Sequence, residues 1–206
     1  MPELSDEQLL ERHRRGDADA FETLIRRHHA DLLRFLIRLT GDRAAAEDVF
    51  QEAFLQVHVS ADTFDTARRF KPWLFTIAAN KGRDHLRKKA RRRTLDLSAP
   101  VPGNAGASGG ATSFVDLMEV NCDQPHAAVD ERERDAMVQR AVDRLPWTLR
   151  EILLLAYFQR LTYAQVADEL GIPLGTVKSR LHAAVAAFAT QWKAENQPSD
   201  DGSIDS

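Results

Sequence analysis

From Ser5 onward, apolar residues recur every three to four positions, and no segment shows the strict two-residue alternation of a half-buried strand. The pattern predicts an all-α chain. Ser5 with Gln8 three residues later forms a capping box that opens a short first helix, which Gly16 ends. Phe21, Leu24, Ile25, His28, Leu32, Phe35, Leu36 and Leu39 then make one apolar stripe on a long helix that stops near Gly41. A third helix is predicted over 43–60, with Val49, Phe50, Ala53, Phe54 and Val57 on its core face and Glu47, Asp48, Gln51, Glu52 and Gln56 on the other. A fourth is predicted over 71–93, with Pro72 in its first turn and Trp73, Leu74, Ile77, Ala78 and Leu86 on its apolar side.

The pattern then breaks. Ser98 to Ser113 is uncharged and built of Pro, Gly, Ala, Ser and few large side chains. Such a segment buries too little surface to offset its chain entropy. It predicts a flexible linker over 95–126, in which Phe114, Val115, Leu117 and Met118 dock at most transiently. Helical periodicity resumes over 127–145, 147–158, 163–170 and 174–193, divided by Pro146 and by Gly171-Ile172-Pro173. The acidic tail 195–206 is expected to be disordered. The expectation is two small helical domains, 1–94 and 127–194, joined by a flexible linker.

Charge sharpens this picture. The net charge of −3 conceals blocks of −6 over 1–67, +10 over 68–93, −6 over 94–135, +3 over 136–194 and −4 over 195–206. A block of +10 in a net-acidic chain marks a local polyanion site. No stretch approaches the roughly 18 apolar residues of a membrane span, and Met1 to Leu10 lacks the basic-then-apolar layout of a secretory signal. The one cysteine, Cys122, has no partner for an internal disulfide. These features lead us to expect a cytoplasmic protein without membrane insertion.

The segment Tyr163–Leu181 (YAQVADELGIPLGTVKSRL) reads as a helix-turn-helix. Small Ala167 lets the second helix cross close to the first, and Gly171 supplies the positive φ of the turn. Val166, Leu170 and Val177 make the shared core, continued by Leu181, Ala184 and Phe188. The outer face carries Gly175, Ser179, His182 and Ala186, flanked by Thr176, Lys178 and Arg180. This short polar surface suits a recognition helix in the major groove, with its N-terminal amides available to phosphate.

The first half narrows the function. Ala46–Val57 (AEDVFQEAFLQV) followed by Trp73–Arg92 (WLFTIAANKGRDHLRKKARR) resembles region 2 of the extracytoplasmic-function (ECF) sigma factors, and Leu145 to Leu181 resembles their region 4. The resemblance covers 5–93 and 127–190. It implies an alternative sigma factor that binds core RNA polymerase and directs promoter-specific initiation, recognising and melting the −10 element and recognising the −35 element. It places core-polymerase contacts, through the β′ clamp helices, at Asp48, Gln51, Glu52 and Phe54, and the β flap is implied as a second polymerase contact. The −10 DNA contacts fall at Trp73, Asn80, Lys81, Arg83, Asp84, Arg87 and Lys88, with the loop before Trp73. The −35 DNA contacts fall at Tyr163, Gly175, Thr176, Lys178, Ser179, Arg180 and His182. The resemblance also implies an anti-sigma partner and nucleoid association when the protein is polymerase-bound. Physical chemistry fits this division. A helix face rich in carboxylates and amides suits a basic partner, and strand separation calls for a cationic channel and aromatic surfaces such as Phe64, Phe70 and Trp73.

Several positions depart from the family pattern. His58 stands where Trp is frequent, Ala79, Ala183 and Val185 stand where Arg is frequent, and Gln159-Arg160 replaces a Gly-containing turn. Fewer cations on the second DNA-reading helix predict weaker phosphate contact and a flatter salt dependence. The alternative reading, a polymerase-independent helix-turn-helix regulator, requires a sensor or dimerisation unit in 1–93, and no such pattern is visible. An enzyme acting on nucleic acid requires clustered ligands or a nucleophile. There is no phosphate loop, nucleophile elbow or metal-ligand spacing, and His28-His29 lacks a second ligand pair. No catalytic residue, metal or cofactor is expected. Cys122 in the linker is a redox candidate only by position.

Overall fold

The computed structural model describes residues 4–96 and 131–196. Among these residues there are eight α-helices, a single 3-10 turn (Ala61–Thr63) and no strand. The helices are α1 (Asp6–Arg14), α2 (Ala18–Thr40), α3 (Arg43–Ser60), α4 (Phe70–Asp96), α5 (Glu131–Asp143), α6 (Trp147–Gln159), α7 (Tyr163–Leu170) and α8 (Leu174–Asn196). Most of the expected linker, Cys122 and most of the tail lie outside the described residues. Two boundaries move. Helix α4 runs on to Asp96, past the expected linker start. Helix α8 runs to Asn196, so Glu195, assigned to the tail, is helical. Its carboxylate holds Arg140 at 2.6 Å and Arg144 at 2.7 Å, which pins the end of α8 to α5 and the turn after it.

Local chemistry sets the helix ends. Ser5 and Gln8 form the expected capping box on α1. Asp17 caps α2 through Ala20 N–H, and Asp42 caps α3 through Ala44 and Ala45. Gly41 closes α2 in the left-handed region at φ 71°. The turn between α6 and α7 does the same with Arg160 at φ 48°, the one non-glycine residue at positive φ among those described.

Two apolar cores result. The first is built from α1 to α4 around Leu10, Leu24, Leu32, Phe35, Val49, Phe70, Leu74 and Phe75. The second joins α6, α7 and α8 through Ile152, Leu153, Leu161, Val166, Val177, Leu181 and Ala184. The two units are not separate. Val142, Leu154 and Leu155 of the second half belong to the first core, and Phe158 meets Phe35 edge-on at 5.7 Å. No helix of the described residues is long and apolar enough to cross a membrane.

Polar contacts tie α1 to the bundle. Asp6 accepts from Arg27 at 2.6 Å and pairs with the buried His28 at 2.7 Å. Burial pushes the Asp6 pKa up, but the hydrogen bonds and charges of His28 and Arg27 outweigh it, and the net shift is downward. Glu7 accepts the Phe70 backbone N–H at 2.9 Å, satisfying an orphan donor at the start of α4. His13 stacks on Phe21 at 4.3 Å, with its Nε2 2.9 Å from His58 Nδ1. His58, where the family often has Trp, thus joins α3 to α1 through an imidazole pair.

Two stability predictions follow from these contacts. Burial, then the charge of His58, lower the His13 pKa from its ordinary value of 6.5, while Asp17 and Asp62 oppose them. A lowered folded pKa means that the unfolded chain binds more protons below about 6.5. Thermal stability is therefore expected to fall as pH drops from 7.5 to 5.5, and His13→Gln is expected to flatten this step. The loss tied to the lowered Asp6 pKa begins only on acidification toward its ordinary 3.8, so the two windows separate. At Arg160 the left-handed backbone favours glycine, and Arg160→Gly should stabilise by about 0.5–1 kcal/mol in urea unfolding.

Candidate nucleic-acid interface

The helix-turn-helix is assembled as its sequence predicts. Thr162 and Gln165 form a capping box that opens α7. Gly171, at φ 62°, ends α7 and turns the chain, and the Ile172 N–H reaches back to Ala167 C=O at 3.1 Å. Pro173 C=O accepts from Thr176 and Val177 N–H, which starts α8. Val177, Leu181 and Ala184 are fully buried against α7 and α6. The opposite face places Gly175 in the open, with Thr176, Lys178, Ser179, Arg180 and His182 half-buried beside it. Nothing stands within 4 Å of a Cβ built at Gly175, so a backbone or phosphate can approach closely there. Ser179 Oγ donates to Thr176 C=O at 3.1 Å. Tyr163, at the start of α7, packs against the second core.

Helix α4 divides the residues that sequence grouped together. Asn80, Asp84, Arg87 and Lys88 are exposed and share one arc of the helix. Lys81 points toward α3 and donates to Gln56 Oε1 at 3.0 Å. Arg83, three residues from Asn80 and four from Arg87, lies at the edge of that face, where its guanidinium pairs with the Glu151 carboxylate of α6. Trp73 is half-buried and contacts Phe64 at 4.5 Å and Phe70 at 5.9 Å between ring centroids. Phe64 and Phe70 are buried and stand at the two ends of the exposed loop Asp65–Arg69, which this aromatic group anchors.

On α3, Asp48, Gln51 and Glu52 stand exposed as expected. Phe54 does not join them. It is 5 % exposed and packs on Phe50 at 4.9 Å and Phe21 at 6.1 Å, which corrects its assignment to the partner-binding face. The apolar residues on that face are instead Leu55 and Val59, at 64 % and 68 % exposure. Their spacing of three and four residues from Glu52 and Leu55 was a readable signal. Asp48, Gln51, Glu52 and Leu55 line one wall of a groove of about 950 Å³, and His85, Lys88 and Lys89 of α4 line the other.

Of the positions where arginine is frequent in the family, Ala79 is fully buried, Val185 is 8 % exposed and Ala183 is exposed. His28 is held by Asp6 and packs on Phe70 at 5.5 Å, where it serves the core.

Comparison with known proteins identifies both halves. The sigma-70 region 2 family matches residues 24–92, and the sigma-70 region 4 family matches 135–188. The chain is 31 % identical to the ECF RNA polymerase sigma factor SigW of Bacillus subtilis over 191 residues, 93 % of this chain and 98 % of that protein. It is 37 % identical to SigL of Mycobacterium tuberculosis, covering 84 % of this chain and 89 % of that one. It is 30 % identical to the sigma-E factor of Escherichia coli, covering 90 % and 93 %. Two solved structures share the fold at a TM-score of 0.62. One is CnrH with the cytosolic domain of CnrY, at 23 % identity over 92 % of this chain and 97 % of that one. The other is RpoE with the anti-sigma factor NepR from Bartonella quintana, at 22 % over 84 % and 96 %. A region 2 placed ahead of the helix-turn-helix displaces the reading as a polymerase-independent regulator. The chain belongs to the ECF sigma factors of the sigma-70 family, as an alternative sigma factor that directs RNA polymerase to specific promoters.

Proposed function

We propose that the labour of initiation is divided among three exposed faces. The α3 stripe of Asp48, Gln51 and Glu52, extended by Leu55 and Val59, docks on the β′ clamp helices of core polymerase. The observation that carries this is the stripe itself: two large apolar side chains more than half exposed, continuous with carboxylates and an amide. Such a surface gains by meeting a basic helical partner with an apolar seam. Asn80, Asp84, Arg87 and Lys88 on the outer arc of α4, with the loop Asp65–Arg69, read the −10 element. Trp73 supports that loop from below. Gly175, Thr176, Lys178, Ser179, Arg180 and His182 on α8 read the −35 element, and Tyr163 braces the start of α7.

The protein supplies recognition, and the phosphodiester chemistry stays with the polymerase. It acts in the cytoplasm, on the nucleoid when polymerase-bound, under the control of an anti-sigma factor that covers one of these faces. The solved complex of RpoE with NepR supports the last point by likeness of fold.

Run-off transcription with core polymerase on a promoter library tests the reading. Protein-dependent initiation is expected, and Asp48→Arg with Glu52→Arg should weaken core binding by at least ~30-fold, the scale of one interface hot spot. No initiation and no co-elution with core, from a well-folded sample, would overturn it. A paired substitution separates surface from core. Phe54→Ala should destabilise the fold by about 3–5 kcal/mol in urea unfolding. Leu55→Ala should stay within ~0.5 kcal/mol while reducing core affinity.

A further inference from the structure

Helix α4 begins with little capping chemistry of its own. Its first residue, Phe70, follows Arg69, whose side chain holds no hydrogen-bond acceptor, and Pro72 in the first turn has no N–H. An N–H at this position has no partner inside the helix. Helix α1 supplies one: Glu7 Oε1 accepts the Phe70 N–H at 2.9 Å, from 63 residues away in sequence. Glu7 is half-buried. Burial raises its pKa, but hydrogen bonds, that of the Phe70 N–H first, outweigh it, and the net shift is downward. The acceptor is therefore a carboxylate at neutral pH, placed at the positive end of the α4 dipole.

The same turn of α1 is itself held. Asp6 pairs with Arg27 at 2.6 Å and with His28 at 2.7 Å, both on α2. His28 in turn packs on the Phe70 ring at 5.5 Å. Asp6 and Glu7 thus bridge α2 to the start of α4, and Lys71 adds a second bridge to Asp31 of α2 at 2.9 Å.

What this seat fixes is the loop Asp65–Arg69. Phe64 and Phe70 stand buried at its two ends, 6.2 Å apart between ring centroids, while the loop residues are exposed. Asp65 closes the first part of the loop on itself, accepting the Ala67 N–H on its side chain and the Arg68 N–H on its carbonyl, each at 2.9 Å. The other end has Glu7 as its anchor. A loop that samples many arrangements loses conformational entropy when it closes on a strand, and a loop already seated loses less. Helix α1 lies ahead of residues 24–92, the segment that matches sigma-70 region 2.

We propose that Glu7 is a positioning residue for promoter opening: from α1 it seats the Phe70 backbone and so holds the loop Asp65–Arg69 in the arrangement that takes the −10 strand. This rests on the assignment of that loop and of α4 to the −10 element.

The test uses the full chain assembled with core RNA polymerase, on a promoter drawn from the run-off library. Permanganate reactivity of unpaired thymines reports the rate of opening, with core affinity and duplex-promoter affinity measured beside it. Glu7→Ala should slow opening about tenfold, the scale of one hydrogen bond to a charged acceptor, and leave both affinities within about twofold. Glu7→Gln keeps an oxygen that accepts, so it should open within about threefold of the parent rate. Hydrogen exchange of the free chain should quicken at the Phe70 amide in Glu7→Ala and not in Glu7→Gln. Asp17→Ala removes the cap of α2 instead, controls for lost stability, and should leave the opening rate unchanged. Unchanged opening in Glu7→Ala would overturn the proposal, as would equal slowing in Glu7→Ala and Asp17→Ala, or no recovery in Glu7→Gln. Asn80→Ala with Arg87→Ala separates the two levels. If that pair slows opening and Glu7→Ala does not, the −10 assignment stands and the role of Glu7 alone is rejected. If neither slows it, the −10 assignment falls and the role of Glu7 falls with it.

Discussion

Everything in this molecule hangs on the apolar stripe of α2. Leu24, Leu32, Phe35, Leu36 and Leu39 are all fully buried, yet no single neighbour covers them. Helices α1, α3 and α4 pack on the stripe from the N-terminal unit. At its C-terminal half, Phe35 is closed from one side by Phe75 at 5.1 Å and from the other by Phe158 at 5.7 Å. Burial of side chains this size is worth about 1.5–3 kcal/mol each. An α2 end left bare by removal of the C-terminal unit would be an apolar patch that needs another cover. The stripe is thus both the main source of cohesion in the first unit and the reason the second unit has somewhere to sit.

Charge is then arranged around this constraint. The cations of α4 meet different neighbours: Lys81 and Lys89 reach Gln56 and Asp42, Lys88 lines the groove against α3, Arg83 pairs with Glu151 of α6, and Arg87 is exposed beside Asn80 and Asp84. A basic block that looks uniform along the chain is therefore divided by its neighbours into paired and exposed cations. The same division separates Phe54 from Leu55. One residue apart, they are 100° apart around α3, which is the difference between core and docking surface.

Most of this was legible in the sequence because it rests on local periodicity. The capping box at Ser5, the glycines that end helices at 41 and 171, and the inward set Val177, Leu181 and Ala184 follow from patterns within one or two turns of helix. What was not legible depends on contacts far apart in the chain. Glu151 reads as one acid in an apolar helix, and only the packing of α6 on α4 gives it Arg83, 68 residues away in sequence. The burial of Ala79 and Val185 likewise comes from packing between helices. His13 and His58 looked unrelated until α1 crossed α3.

The chemistry of the seam between the units bears on how readily it parts. Arg38–Asp135 and Arg68–Glu169 each keep one solvent-exposed partner, and salt screens such pairs more than it screens the central one. The central pair is different. The Glu151 carboxylate has given up its water, and its attraction to Arg83 first has to offset that loss. A purely apolar replacement of the same volume would hold the units at least as firmly. An ion pair instead makes the contact specific in register, because it requires the alignment of α6 on α4 that brings Glu151 to Arg83. Apolar burial on α2 supplies the adhesion, and the buried carboxylate fixes how the two helices meet.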